Sequence, residues 1–314
     1  MKIYQLLPLF REKIWGGHQL RDNYGFNVGD KLIGEAWIAS SLPGEEDNIV
    51  SGMNMTLSQL YEKHNEMFGT HTTQVIPIKM MLADCTAVTS LQVHPGDAYA
   101  KKHEASLGKP ECVCYLQAAP DAFSIYGNLA VDMAELKSLI EHGEWQKLLR
   151  YEKVKENDFA YIPAGRLHAT GAGTLLLEIS RNADLTYRLY DFDRVDKNGN
   201  KRDMQIDHCM EIIRVPDHET AIIQPRVENK CGAQILTYHD VPGEFSIYQI
   251  KIQIQAIYEQ KEFGFMFIKE GNGYIGKQRV IKGQTWFLPC NNGSMNIQGS
   301  LDIIIGSYKE IKIK

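Results

Sequence analysis

The sequence contains no long hydrophobic run, no cysteine framework and no excess of basic residues. No stretch of about 18 consecutive apolar residues occurs in the chain, which argues against a membrane-spanning helix. The N-terminal segment lacks the apolar core and the small-residue cleavage site of a secretory signal peptide. We therefore expect a cytoplasmic protein that has no membrane partner.

The charge and the cysteines exclude further classes of protein. The chain carries 34 Lys and Arg against 39 Asp and Glu, a formal net charge of −5, so we expect no nucleic-acid partner. Any anionic substrate must then be held by local cations. The six cysteines are scattered, and Cys112 and Cys114 form a C-x-C rather than the C-x-x-C of redox and zinc-ribbon motifs. We expect free thiols.

Length and patterning predict a mainly β protein of two parts. At 314 residues the chain exceeds the usual size of one domain. Short extended runs alternate with turns, and a helical pattern broken near Gly143 interrupts them. Beyond about residue 222, short strands recur between Gly-rich and Asn-rich turns, as in a small sandwich or barrel. We predict a first domain over 1–222, with a helical insertion at about 128–150, and a second small β domain without a metal site over 223–314.

Two further helices are predicted in the first domain. Thr56 or Ser58 can cap a helix that runs from Thr56 to Met67. A second helix is expected from Asp97 to Leu107, because an acidic residue stands at its start and Gly108 follows its end.

The segment SLQVHP (90–95) carries a polar pair in an apolar, strand-like setting. Side chains at i and i+2 of a strand leave the same face, so Gln92 and His94 point into the same space. Pro95 then ends the hydrogen bonding between this strand and its neighbour, because it has no N–H to donate. The pair suits half of a metal site. The alternative is a buried, hydrogen-bonded glutamine beside a core histidine.

Other polar residues interrupt apolar strands in the same way. Glu111 opens the strand that begins after Lys109-Pro110, and His168 follows a turn at Pro163. Together with the Gln-x-His pair they offer two imidazoles, one carboxylate and one amide oxygen, a donor set that suits Zn²⁺. Glu35 and Trp37 share one face of a further strand, where the carboxylate is either functional or located at the rim of a sheet.

Ligands that converge from two hairpins resemble a cupin jelly roll, although the usual H-x-H is Q-x-H here. More specifically, the chain resembles the short bacterial form of the type I mannose-6-phosphate isomerase family. The matching segments are SLQVHP (90–95), GKPE (108–111), YIPAGRLHATGAGTLLLEI (161–179) and DLTYRLYDFDR (184–194), with weaker matches in IKMMLADC (78–85) and IGEAW (33–37).

This resemblance implies a cupin (jelly-roll) catalytic domain with a small helical insertion, followed by a second β domain. It implies an enzyme that interconverts mannose 6-phosphate and fructose 6-phosphate with one Zn²⁺ per chain. The expected partner is a small-molecule sugar phosphate, and the expected state is a monomer or weak homodimer.

The resemblance also assigns roles to residues. The implied zinc ligands are Gln92, His94, Glu111 and His168. The implied catalytic residues are Arg188, Glu178, Asp184 and Lys109. Weaker matches imply that Lys79, Ser90, Trp15 and Glu35 bind substrate.

Three departures from the family pattern surround these positions without touching the implied ligands. The family usually has Asp-Ala-Lys or Asp-Ala-Arg where this chain has Asp84-Cys85-Thr86. It often has two acidic residues after QVHP, and the first is Gly96 here. It often has Cys-Trp-Tyr after the metal glutamate, where this chain has Cys-Val-Cys-Tyr. These changes bear on substrate identity and rate more than on metal binding.

An aldose–ketose isomerase needs a base for a weakly acidic C–H and positive charge near the substrate oxygens. Glu178 is our first choice of base, because desolvation on an apolar strand would raise its pKa, and Asp184 is the second. Alternatively, Glu178 holds a metal-binding histidine or Arg188. Arg188 keeps its proton and therefore stabilises charge or contacts phosphate. Lys109 and Lys79 bind phosphate or assist ring opening, or else are solvated lysines at strand ends.

Two other functions are compatible with parts of the pattern. A non-catalytic sugar-phosphate-binding bicupin would keep the pocket and lack turnover. An Fe-dependent cupin oxygenase would favour at least two histidines on the first hairpin, which Q-x-H does not supply.

Overall fold

The computed structural model describes residues 2–42, 46–69, 73–195 and 198–310. The elements up to residue 85 are β1 Tyr4–Leu7, β2 Leu9–Gly17, α1 Gln19–Tyr24, β3 Ile33–Ala39, β4 Ile49–Val50, β5 Met55–Thr56, α2 Leu57–Lys63, a 3₁₀ turn Asn65–Met67 and β6 Ile78–Cys85. The next elements are β7 Leu91–Val93, α3 Asp97–Glu104, β8 Glu111–Ala118, β9 Phe123–Asn128, α4 Met133–Glu141, α5 Trp145–Leu148, β10 Leu149–Lys153, β11 Phe159–Ile162, β12 His168–Ala169, β13 Thr174–Arg181, β14 Tyr187–Tyr190 and α6 Ile206–Ile212. The last are β15 Ile222–Ile223, β16 Arg226–Lys230, β17 Ala233–Val241, β18 Phe245–Ile252, β19 Gln255–Glu259, β20 Gly264–Ile275, β21 Gln278–Ile281, β22 Thr285–Leu288 and β23 Ser294–Ser307.

These strands form three antiparallel sheets. A seven-stranded sheet has the order β15-β11-β8-β13-β6-β3-β2, and a five-stranded sheet has the order β10-β9-β12-β7-β14. An eleven-stranded sheet follows the order β16-β17-β18-β23-β20-β22-β1-β4-β5, with β19 beside β23 and β21 beside β20. The predicted mainly β class is confirmed.

Alternation along the strands separates an apolar layer from a polar pocket. On β13, Leu177 and Ile179 belong to an apolar cluster shared with Phe265 of the eleven-stranded sheet, whereas Glu178 between them faces the other way. On β7, Leu91 and Val93 pack into the apolar cluster that also contains residues of α4 and α6. The intervening polar side chains therefore point into the space between the seven- and five-stranded sheets.

Two of the predicted helices are shorter than the sequence patterns indicated, and the first of them, α2, ends at Lys63 before a separate 3₁₀ turn reaches Met67. Thr56 caps α2 as predicted, since its Oγ1 accepts from the backbone N–H of Gln59. The predicted helix to Leu107 is too long, because α3 ends at Glu104 and Ala105 takes the left-handed conformation with φ 50°.

Gly108 does not follow the end of α3 directly, as the sequence pattern predicted, but packs against the start of that helix. Its N–H donates to Asp97 Oδ1 at 2.8 Å, and a Cβ there would lie 2.5 Å from the backbone N of Asp97. Glycine is required here because the backbone of residue 108 lies close to the start of α3. It does not end that helix.

The helical insertion consists of α4 and α5, separated near Gly143, which has φ 66°. Leu136 and Leu148 are fully buried in the apolar cluster on the outer side of the five-stranded sheet. No helix within the described ranges is long and apolar enough to cross a membrane.

The two ends of the chain share one sheet. Tyr4 of β1 pairs with Phe287 of β22, and β4 and β5 extend the same edge. Ile222 pairs instead with Ala160 of β11 in the seven-stranded sheet. The division of the chain at residue 222 stays a prediction, but the eleven-stranded sheet also takes strands from the first sixty residues.

A buried ion pair holds the loop that precedes β12. Arg166 Nη2 lies 2.7 Å and Nε 3.1 Å from the two carboxylate oxygens of Asp217, and the side chains are only 3% and 1% exposed. Removal of one partner would leave a buried charge uncompensated.

We expect Arg166→Met to lower the free energy of unfolding by about 3–5 kcal/mol, because Asp217 would lose its only charged partner among the described residues. Urea denaturation measures the change. Arg226→Met is the control, because that arginine pairs with Glu228 at the surface, where ion pairs contribute little. Equal effects of the two substitutions would contradict the role given to the buried pair.

Candidate functional site

Three strands of the five-stranded sheet place polar side chains in one row. The register pairs His168 with Gln92 and Gln92 with Arg188. Residues directly opposite one another on antiparallel strands project to the same face. His94 follows Gln92 by two residues and leaves β7 on that face as well.

The seven-stranded sheet supplies the facing groups. Ser180 of β13 pairs with Glu111 on one side and Lys79 on the other. Glu178 lies two residues before Ser180 and shares its face, and Ser180 Oγ donates to Glu178 Oε1 at 2.9 Å. Lys109 lies two residues before Glu111, the first residue of β8. Cations and carboxylates of one sheet thus face imidazoles and an amide of the other.

Four side chains meet where the two sheets face each other. His94 Nε2 lies 3.3 Å from Glu111 Oε2, and His168 Nε2 lies 3.3 Å from Glu111 Oε1. Gln92 Nε2 lies 3.3 Å from His168 Nε2. The histidines and the glutamate are buried and offer ligand atoms that all lie within 4.8 Å of one another. This group could hold a metal ion.

The backbone fixes which imidazole nitrogens face the group. His94 Nδ1 lies 2.7 Å from the carbonyl oxygen of Leu185, and His168 Nδ1 lies 2.9 Å from that of Arg166. Because a carbonyl oxygen only accepts, each Nδ1 donates and each Nε2 keeps a lone pair. Metal-binding histidines are commonly oriented in this way.

Lys109 ties the cluster to Glu178. Its Nζ lies 2.6 Å from Glu111 Oε2, 3.2 Å from Glu178 Oε1 and 3.3 Å from His94 Nε2. Burial opposes the charge of Lys109, but the two carboxylates outweigh burial and raise its pKa. Lys109 therefore stays protonated at neutral pH and cannot act as a base.

The same charges shift the groups around Lys109. Burial and the charge of Lys109 lower the pKa of His94 to about 4. Burial works against ionisation of Glu111, yet Lys109 and His94 hold the pKa of its carboxyl well below the usual range. The cluster thus contains a neutral imidazole and an ionised carboxylate at neutral pH.

A cavity of about 450 Å³ opens beside the cluster, within the usual range for small-molecule sites. Lys79 lies on its wall with Nζ 4.2 Å from the ring centroid of Trp37. Burial lowers the pKa of Lys79, and the charge of Lys109 lowers it further. Trp37 Nε1 donates to Glu35 Oε2 at 3.0 Å, and Lys13 pairs with the same oxygen at 3.1 Å.

The structure brings the predicted site residues together. Ten of them line this cavity: Trp15, Glu35, Lys79, Ser90, Gln92, Lys109, Glu111, Glu178, Asp184 and Arg188. The other two, His94 and His168, contact Glu111. Their individual roles as ligands, base or substrate contacts stay predictions.

Sequence reasoning missed several groups on the cavity wall, among them Arg11, Lys13, Trp37 and Arg202. Trp37 was placed on the face of Glu35 but not in the site, although the alternation that identified Glu35 applies equally to it. Arg202 also lines the cavity. It lies in a loop 14 residues beyond Arg188, where no strand pattern marks it.

Comparison with known proteins agrees with this geometry. Residues 3–122 match the family described as phosphomannose isomerase type I, catalytic domain. The chain is 36% identical over 312 residues to the probable mannose-6-phosphate isomerase GmuF of Bacillus subtilis (strain 168), covering 96% of this chain and 97% of that protein. The chain belongs to the type I phosphomannose isomerase family. The predicted family and enzyme class are confirmed.

Solved structures agree with the predicted cupin fold. The mannose 6-phosphate isomerase from Bacillus subtilis superposes with a TM-score of 0.93 at 35% identity, over 98% of this chain and 99% of that chain. A mannose 6-phosphate isomerase bound with zinc and yttrium superposes with a TM-score of 0.78 at 15% identity, over 98% and 100% of the two chains. At that identity the second likeness bears on the fold alone.

Proposed function

We propose that this chain interconverts mannose 6-phosphate and fructose 6-phosphate by proton transfer through an enediol, with one Zn²⁺ held by Gln92, His94, Glu111 and His168. The observation that carries the proposal is the buried cluster of these side chains beside a cavity of about 450 Å³. The names of the relatives at 36% and 35% identity support the same reaction.

The donor set fits zinc. Tetrahedral Zn²⁺ with bonds of about 2.0–2.1 Å places its ligand atoms roughly 3.3–3.4 Å apart, and three contacts in the cluster are 3.3 Å. A turn of the Gln92 amide would exchange Nε2 for Oε1 and present the oxygen.

The ligands determine the charge of the site. With one carboxylate and three neutral ligands, Zn²⁺ would retain a net charge of about +1 and stabilise negative charge on the substrate oxygens. Gln92 completes such a shell without adding negative charge. Lys109 remains protonated and bridges Glu111 and Glu178, so it orients both carboxylates.

Glu178 is the proposed base. Ser180 and Lys109 both contact its Oε1, and no described residue hydrogen bonds to Oε2, which is free to take a proton from the substrate C–H. Asp184 lines the cavity but is exposed, so it is the second choice. In the alternative, Glu178 only positions its neighbours. Its replacement would then weaken substrate binding rather than lower kcat.

We further propose a cytoplasmic location and a monomeric or weakly dimeric state. All six cysteines lie within the described residues and are free thiols, four of them buried. This thiol chemistry fits a reducing compartment.

A coupled assay on mannose 6-phosphate tests the reaction and the metal together. We expect turnover in the purified protein, loss of turnover after thorough chelation, and recovery when Zn²⁺ is added. Full activity in metal-free protein would overturn the proposed role of zinc. Tight binding of mannose 6-phosphate without turnover in zinc-loaded protein would support the non-catalytic alternative.

Two carboxylate variants test the base. Glu178→Gln keeps the shape of the side chain and removes the proton acceptor, so kcat should fall by about 10²-fold or more while zinc content stays that of the wild type. Asp184→Asn is the matched control on the same cavity and should keep kcat within a factor of ten. A Glu178→Gln enzyme with near-wild-type kcat would remove Glu178 from the role.

A further inference from the structure

We propose that Arg202 joins Arg188 in a subsite for the phosphate group of the substrate, beside the edge strand β14 of the five-stranded sheet. This inference rests on the proposed function and deepens it. It assigns the anion-binding part of the cavity to a residue outside the predicted site.

The loop that carries Arg202 is bound to the edge strand. The backbone of Arg188 exchanges hydrogen bonds with Gln205, through Gln205 N–H at 2.9 Å and Gln205 Oε1 at 3.0 Å. Arg188 Nη1 also donates to the carbonyl of Asp203 at 2.8 Å. These contacts bring residues 202–205 beside β14 and place Arg202 on the cavity wall.

A buried carboxylate orients Arg202. Asp191 is 1% exposed, and Arg202 binds both of its oxygens, with Nε 2.7 Å from Oδ2 and Nη2 in contact with Oδ1. Arg194 binds the same carboxylate and also donates to the carbonyl of Val88. No described residue accepts from Nη1 of Arg202, so its outer donors remain for a ligand.

Positive charge is in excess at this edge. The guanidinium groups of Arg194 and Arg202 both contact the single buried carboxylate of Asp191, and the same carboxylate is one of the charges that act on Arg188. Asp203, the other acidic residue that acts on Arg188, is exposed to solvent. The Nε of Arg188 is buried and has no hydrogen-bond partner among the described residues. A phosphate dianion would relieve the repulsion between Arg188 and Arg202 and accept from both.

Arg194 and Arg202 share one carboxylate, whereas three other cations of the cavity each have at least one carboxylate of their own. Arg11 pairs with Glu46 at 2.8 Å, and Lys13 pairs with Glu35 at 3.1 Å. Lys109 is held by two carboxylates. Among the described lining residues, Lys79 is the other candidate for binding the phosphate. It is buried and lies over the ring of Trp37.

The position also suits a sugar phosphate that reaches the metal cluster. His168, Gln92 and Arg188 lie on three consecutive strands, so the row spans roughly 10 Å. A six-carbon chain can place its reacting carbons near the histidines and its phosphate near the arginines.

Binding of inorganic phosphate to the zinc-loaded full-length protein tests the subsite. We expect Arg202→Gln to raise the dissociation constant of phosphate, measured by calorimetry, by about tenfold to hundredfold, as for loss of a charge-assisted hydrogen bond. The KM for mannose 6-phosphate should rise in parallel with little change in kcat. A rise of less than fivefold in the dissociation constant would overturn the assignment.

Two further variants sharpen the test. Lys201→Gln removes the neighbouring charge from the same loop, but Lys201 pairs with Asp193 and does not line the cavity, so phosphate affinity should stay within twofold. Arg202→Lys keeps the charge without the planar fork and should bind phosphate between the wild type and Arg202→Gln. It replaces the Gln variant if that variant does not fold, and a dissociation constant equal to that of the wild type would then overturn the assignment. Calorimetry measures phosphate binding without turnover. Absence of isomerase activity would therefore refute the proposed function, while the phosphate measurement would still test the subsite.

Discussion

The buried carboxylate of Glu111 is the group on which the rest of the site depends. Burial of an ionised carboxylate is costly unless cations and hydrogen-bond donors surround it. Here Lys109 lies 2.6 Å away, and the Nε2 atoms of His94 and His168 lie 3.3 Å from its two oxygens. The two Nε2 atoms carry lone pairs toward the carboxylate, an arrangement that a shared cation between them would stabilise. The cation that would stabilise the buried carboxylate is thus the same one that the proposed reaction needs.

The fold meets this requirement by means of alternation on facing sheets. Apolar side chains of β13 and β7 pack outward, and the residues between them meet across the pocket. The backbone carbonyls of Leu185 and Arg166 then orient the two imidazoles. The strand register and these two loop carbonyls together hold the cluster in place.

Much of the site was predictable because its residues break a pattern. Gln92, Glu111, Glu178 and His168 are polar positions in otherwise apolar strands, and a strand period of two assigns their faces. Arg202 could not be found in this way, because hydrogen bonds between Gln205 and Arg188 bring its loop to the sheet edge. The pairing of Tyr4 with Phe287 likewise joins residues far apart in the chain, which local patterns do not encode.

The proposed role of Gln92 is to complete the metal shell and leave the metal enough positive charge for turnover. The most direct measurement is kcat on mannose 6-phosphate for Gln92→Glu, together with zinc content by elemental analysis. A second carboxylate would retain the metal but cancel its residual charge, so we predict one zinc per chain and a kcat lower by about 10²-fold or more. A zinc-loaded Gln92→Glu enzyme with kcat within tenfold of the wild type would show that turnover does not need a neutral ligand at this position.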